Sequence, residues 1–250
     1  MMPRGRIWGI AGATMLALAL SACGSEQAED AAVPPASGAA RTPGGDAPPA
    51  IPVMGPERDI VAFGDSLFAG YGLDEGESYP ARLETALRAK GINADIANAG
   101  VSGDTTAAGR QRLAFTLDAQ EDAPDLVILE LGGNDMLRGL SPAETRANLA
   151  AMLEVLEERD IPVLLMGMRA PPNYGPEYQS DFDAIYADLA KQYDAELVPF
   201  WLEAIYEKPN LFQADRIHPT AQGIEELVAA TIGDVREALP AEPEEGDAGS

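Results

Sequence analysis

The run Leu126–Leu131, LVILEL, constrains the fold more than any other stretch of this 250-residue chain. A strand with one wet face shows a polar residue at every second position. An almost unbroken aliphatic run is what a strand buried on both faces needs, and such strands belong to parallel sheets covered by helices on each side. Other segments repeat the type: DIVAFG at Asp59–Gly64, the weaker Ala94–Ala97, IPVLLMGM at Ile161–Met168 and a short strand near Leu197-Val198. Helical spacing separates them. It runs through Leu83 and Leu87 within Tyr79–Lys90, across residues 105–117, and across residues 179–192 and 220–238. Ser141-Pro142-Ala143-Glu144 is a capping box with proline at N1, so a further helix starts there and runs to about Arg159. Five strands separated by helices predict an α/β fold, a three-layer sandwich around a five-stranded parallel sheet.

The folded part is expected over residues 58–239, a length that suits one domain with a single sizeable core. It is flanked by an Ala/Pro/Gly-rich stretch, 24–57, and an acidic tail, 240–250. Basic residues number 17 against 41 acidic ones, for a net charge of −24. That balance argues against a nucleic-acid partner, since phosphate binding needs clustered Lys and Arg. One cysteine excludes an internal disulfide, and with one histidine it also excludes zinc sites built on several His and Cys ligands. An all-carboxylate metal site stays open among the 41 acids, but no Asp/Asn-Gly calcium-loop spacing supports one. The expectation is therefore a monomer that works without metal or cofactor.

Residues 1–23 read as an export signal. Arg4 and Arg6 precede an apolar run from Ile7 to Ala22, too short for a spanning helix, which needs about 20 residues. The run ends in Leu20-Ser21-Ala22-Cys23, which resembles the bacterial lipobox, whose cysteine is lipidated and becomes the mature N-terminus. Residues 24–57 hold seven prolines among Ala and Gly and suit a disordered tether. A lipid anchor on Cys23, facing the periplasm, is thus expected. Gly24 and Ser25, with no aspartate beside the cysteine, favour the outer membrane by resemblance to enterobacterial sorting.

In open parallel sheets ligands bind beyond the carboxyl ends of the strands, so the residues after each strand carry most information. Gly64-Asp65-Ser66-Leu67 follows the first strand. A serine there either caps a helix or attacks a carbonyl. The G-x-S-x-G elbow is absent, and Ser102, in Gly100-Val101-Ser102-Gly103, is a rival that lacks it too. A serine nucleophile needs a base, and His218 is the only histidine. Asp215, three residues earlier in Asp215-Arg216-Ile217-His218-Pro219, can fix its tautomer. Oxyanion donors can come from the Gly103 N–H, in the glycine-rich turn after the second strand, and from the Asn134 amide in Gly132-Gly133-Asn134-Asp135 after the third. Each segment alone reads equally well as a helix-leading turn.

Together, Gly-Asp-Ser-Leu, Gly103, Gly-Gly-Asn-Asp and Asp-x-x-His-Pro resemble the four motif blocks of the SGNH (GDSL) hydrolases. The likeness extends from Ile60 to about Val235. It is strongest with the bacterial branch of arylesterase, acyl-CoA thioesterase I and lysophospholipase L1, through Asn98…Ser102-Gly103-Asp104-Thr105, Glu130–Asp135 and Pro172-Asn173-Tyr174-Gly175. The resemblance implies a flavodoxin-like sheet in order 2-1-3-4-5 and a serine esterase acting on aryl or short to medium acyl esters, with lysophospholipids and thioesters as further substrates. It implies Ser66 as nucleophile, His218 as base, Asp215 as its orienter, and the Ser66 and Gly103 N–H groups with the Asn134 side chain as oxyanion donors. An acyl groove is expected beside residues 169–178, lined by Met166, Met168, Tyr174 and Tyr178. Two other readings share the scaffold: a sugar O-acetyl esterase, marked by a broad polar cleft, and a non-catalytic ligand-binding lipoprotein.

Overall fold

A computed structural model describes residues 52–241. The signal, the lipobox cysteine, most of the tether and nearly all of the acidic tail lie outside the described residues.

Five strands form one parallel sheet in the order β2-β1-β3-β4-β5. They are β1 (Arg58–Gly64), β2 (Ala94–Gly100), β3 (Leu126–Leu129), β4 (Val163–Met166) and β5 (Glu196–Val198). The sheet confirms the order expected from the family resemblance. Ile60–Phe63 and Leu126–Leu129 are buried along their whole length, which accounts for their unbroken apolar character. The β3 ladder is shorter than expected: it ends at Leu129, although the Glu130 N–H still reaches the Phe63 carbonyl at 2.9 Å. β4 is likewise shorter than expected at both ends, although Pro162 and Gly167 still hydrogen-bond to Val127 and Val198 at 2.9 and 2.8 Å. β2 is longer, because β1 offers it partners out to Gly100.

The helices are α1 (Ser66–Ala69), α2 (Tyr79–Ala89), α3 (Thr106–Asp118), α4 (Gly133–Leu137), α5 (Pro142–Glu157), α6 (Pro176–Gln192), α7 (Glu203–Tyr206) and α8 (Ala221–Ala238). α2 packs beside α8 on one face of the sheet, and α3, α5 and α6 pack in a row on the other. Ser141 caps α5 as expected: its hydroxyl accepts from the Glu144 N–H at 3.2 Å, while the Glu144 carboxylate reaches back to the Ser141 hydroxyl at 2.9 Å and not to its N–H. On the α2/α8 face, Phe68, Tyr79 and Trp201 pack ring against ring with centroids 5.2–5.6 Å apart. The buried Tyr79 hydroxyl is satisfied by Thr231 at 2.6 Å. This aromatic block joins α1, α2 and the segment after β5 into a rigid floor beneath the carboxyl ends of the strands.

Candidate active site

α1 is four residues long and exists because both its ends are fastened. The Asp65 side chain caps it by accepting from the Leu67 N–H at 3.0 Å, and Gly70 closes it in the left-handed region at φ 81°. Ser66 is its first residue, so its backbone N–H has no intrahelical acceptor and its side chain stands at the mouth of the sheet. The competing reading of this turn, a helix cap, is satisfied by Asp65 instead.

Ser66 Oγ lies 2.9 Å from His218 Nε2, although the two residues are 152 positions apart. His218 Nδ1 lies 2.6 Å from Asp215 Oδ2. An ionised carboxylate only accepts, so Nδ1 carries the proton and Nε2 presents its lone pair to the Ser66 hydroxyl. The Asp215 carboxylate also accepts from the Ile217 and His218 N–H groups at 3.0 and 3.1 Å. Partial burial works against ionisation, but the His218 hydrogen bond and these two amides hold the carboxyl down at about 2. The turn requires Arg216 at φ 63°, a left-handed conformation costly for a side chain and retained where the surroundings enforce it.

Gln213 does the enforcing. Its backbone N–H donates to the His218 carbonyl at 2.7 Å, while its side-chain amide donates to the carbonyls of Pro219 and Tyr71 at 2.9 and 2.8 Å. The Tyr71 ring then packs on the imidazole with centroids 4.4 Å apart. Sequence reading missed Gln213 because nothing in its neighbourhood reveals an acceptor 142 residues away.

The expected oxyanion groups converge on the same cleft. Gly103, at φ 87°, and Asn134 both line it together with Ser66 and His218. The Gly103 carbonyl is held by Arg138 at 2.7 Å, and Asn134 Nδ2 donates to Asp65 Oδ2 at 2.8 Å. One amide hydrogen of Asn134 is thus spent on orientation, and the second is available to the cleft. Gly132 precedes α4 at φ 116°, and a Cβ there would overlap the Tyr186 hydroxyl, which explains the first of the paired glycines. Ser102 borders the cleft, but His218 Nε2 hydrogen-bonds Ser66 and not Ser102, so the rival serine lacks a base.

The cleft has a volume of about 690 Å³. Its walls correct the expected acyl groove. Met168 does line it, but Met166 is fully buried in the core, and Tyr174 and Tyr178 lie outside the lining. Tyr178 stacks between Tyr174 and Phe182 and donates to the Leu140 carbonyl at 3.0 Å. The apolar wall comes instead from the β5–α8 connection, through Phe200, Leu202, Tyr206, Pro209 and Phe212. That segment, PFWLEAIYEKPNLF, sits between a strand end and His218, a position that could have marked it.

Residues 62–225 match the model of the GDSL-like Lipase/Acylhydrolase family. Esterase TesA of Pseudomonas aeruginosa is 42% identical over 65% of this chain and 80% of that protein. Thioesterase 1/protease 1/lysophospholipase L1 of Escherichia coli K12 is 41% identical over 64% of this chain and 74% of its own length. Among solved structures, AlinE4, an SGNH-hydrolase family esterase, is 68% identical with a TM-score of 0.64, covering 75% of this chain and 100% of that one. With its sheet order, its motif blocks and these relatives in agreement, this chain belongs to the GDSL-like lipase/acylhydrolase family and is a serine ester hydrolase.

Proposed function

We propose that the chain hydrolyses carboxylic esters with an apolar acyl or aryl group through an acyl-enzyme on Ser66. The observation that carries this reading is the relay Ser66 Oγ–His218 Nε2 at 2.9 Å and His218 Nδ1–Asp215 at 2.6 Å, set at the end of a cleft with an apolar wall. His218 takes the proton as Ser66 attacks, then returns it to the leaving alcohol, and water repeats the cycle on the acyl-enzyme. Donors at Ser66, Gly103 and Asn134 face the developing oxyanion. No metal or cofactor enters these steps. The apolar wall favours aryl and acyl esters over sugar acetates, which call for a polar cleft.

We further propose, on the sequence alone, that the mature chain is anchored through a lipid on Cys23 in the cell envelope, with residues 24–57 as the tether and residues 58–239 as the catalytic domain. An exported enzyme meets little acyl-CoA, which makes ester or lysophospholipid hydrolysis the physiological reaction.

A fluorophosphonate probe should label Ser66, and Ser66→Ala should abolish both labelling and hydrolysis while the fold survives. Normal turnover by Ser66→Ala would remove the reading. Ranking aryl esters, lysophospholipid and acyl-CoA by kcat/KM tests the substrate class. Metabolic labelling with a palmitate analogue, absent in Cys23→Ser, tests the anchor.

A further inference from the structure

Beneath the site lies a buried acidic pair for which the reaction steps give no role. Glu130 follows β3 and is fully buried, and Asp65 is 2% exposed. The Asp65 N–H donates to Glu130 Oε2 at 3.4 Å, and Glu130 Oε1 has no hydrogen-bond partner. Among the described residues no lysine or arginine forms an ion pair with either carboxyl. Arg112, which reaches the adjacent Gly64 carbonyl at 2.9 Å, is engaged by Asp104 at 2.6 Å and packs over the Phe63 ring.

We propose that Glu130 is a positioning residue whose carboxyl group, acting through Asp65, sets the orientation of the Asn134 amide and of the turn that bears Ser66. Asp65 is the only link it needs. One of its oxygens caps α1 through the Leu67 N–H at 3.0 Å, and the other holds Asn134 Nδ2 at 2.8 Å. A shift of this single carboxylate would therefore move the nucleophile's turn and an oxyanion donor together.

The pair carries one proton, because two adjacent carboxylates buried without a cation cannot both ionise. Chemistry places that proton on Glu130. Burial pushes both groups up, and Glu130, with the Asp65 charge beside it, rises well above the usual carboxylate range. Asp65, in contrast, keeps the Leu67 N–H and the Asn134 amide, which favour its ionised form. A proton on the otherwise unpartnered Oε1 gives neutral Glu130 an O–H to direct at the Asp65 carboxylate while Oε2 accepts from the Asp65 N–H.

This inference rests on the esterase reading for its catalytic consequence, and its test includes an arm that needs no turnover. Glutamine can reproduce both contacts, its carbonyl accepting from the Asp65 N–H and its amide donating to the carboxylate. Glu130→Gln in the full chain should keep kcat within about 3-fold of the parent, whereas Glu130→Ala should lower kcat by about 10- to 100-fold with KM nearly unchanged. Isotope-edited infrared spectroscopy at neutral pH should show a protonated carboxyl stretch that disappears in Glu130→Gln. Equal loss of kcat in the Gln and Ala variants, or full activity in Glu130→Ala, would overturn the positioning role. Should Glu130→Ala not fold, the infrared band and the Gln variant decide: no band in the parent chain, or a Gln variant as slow as one lacking Asn134, overturns it. Failure of the esterase reading would show in Ser66→Ala instead and would leave the infrared band in place.

Discussion

The Asp215 carboxylate receives three hydrogen bonds from its own turn, and each of them favours its ionised form. Its folded value of about 2 lies below the ordinary 3.8, so its contribution to stability is complete above that ordinary value and is lost as pH falls through about 2. Loss of kcat/KM on mild acidification is therefore not a readout of Asp215 protonation. Asp215→Asn should lower kcat by about 10⁴-fold, since the amide can donate to Nδ1 and impose the wrong tautomer. Glu130 has the opposite sign. Its proton is retained in the folded state and lost in the unfolded one at neutral pH, so the native state loses stability as pH rises above the ordinary glutamate range. Glu130→Gln should consequently raise Tm at neutral pH, and the gain should vanish below about pH 4 in a thermal melt series. That Ser66, Asp215, His218, Gly103 and Asn134 meet at one cleft was legible in the sequence, because chemistry restricts which residue types serve and strand ends restrict where. The Glu130–Asp65 pair was not, since Glu130 reads only as an interruption of an aliphatic run.

The strands and the long helices were legible because burial imposes a period on each of them. α1, α4 and α7 were not, being too short to show one; capping, not apolar spacing, defines α1. α6 starts at Pro176, three residues before the helix expected from its apolar spacing, because Pro176 takes the N1 position after Gly175 at φ 88°. The acyl wall was misplaced for a related reason. Tyr174 and Tyr178 look available in sequence, but stacking with Phe182 withdraws them, while the residues around α7 look like core and border the cleft. Tyr206 is 54% exposed and lines that cleft, so its removal should leave the core intact. Tyr206→Ala should reduce kcat/KM for an octanoyl ester by about 10-fold more than for an acetyl ester, consistent with about 0.8 kcal/mol for each methylene that loses its cover. Equal reductions for both esters would show that the acyl chain runs elsewhere.

Across the described domain, the carboxyl ends of β1, β2 and β3 supply Ser66, Gly103 and Asn134, while His218 arrives with the turn before α8. The Gln213 side chain fastens that late turn to the Tyr71 loop near the start of the domain. Gly72 has φ 72°, and a Cβ there would overlap the Gln213 side chain, so Gly72→Ala should displace this fastening. The expected result is a fall in kcat of about 10-fold or more, larger than the accompanying loss of Tm would suggest, measured by kinetics and melting on the same sample. With the proposed nucleophile Ser66 in the first helix and the proposed base His218 before the last one, hydrolysis is also a certificate of completeness. A ribosome that stops anywhere before His218 releases a serine without a base, so truncated products are chemically silent and unable to attack esters in the compartment where they are made. Two separately produced halves, divided in the exposed loop at residues 121–123, should each be inactive and regain turnover only when β3 docks on β1.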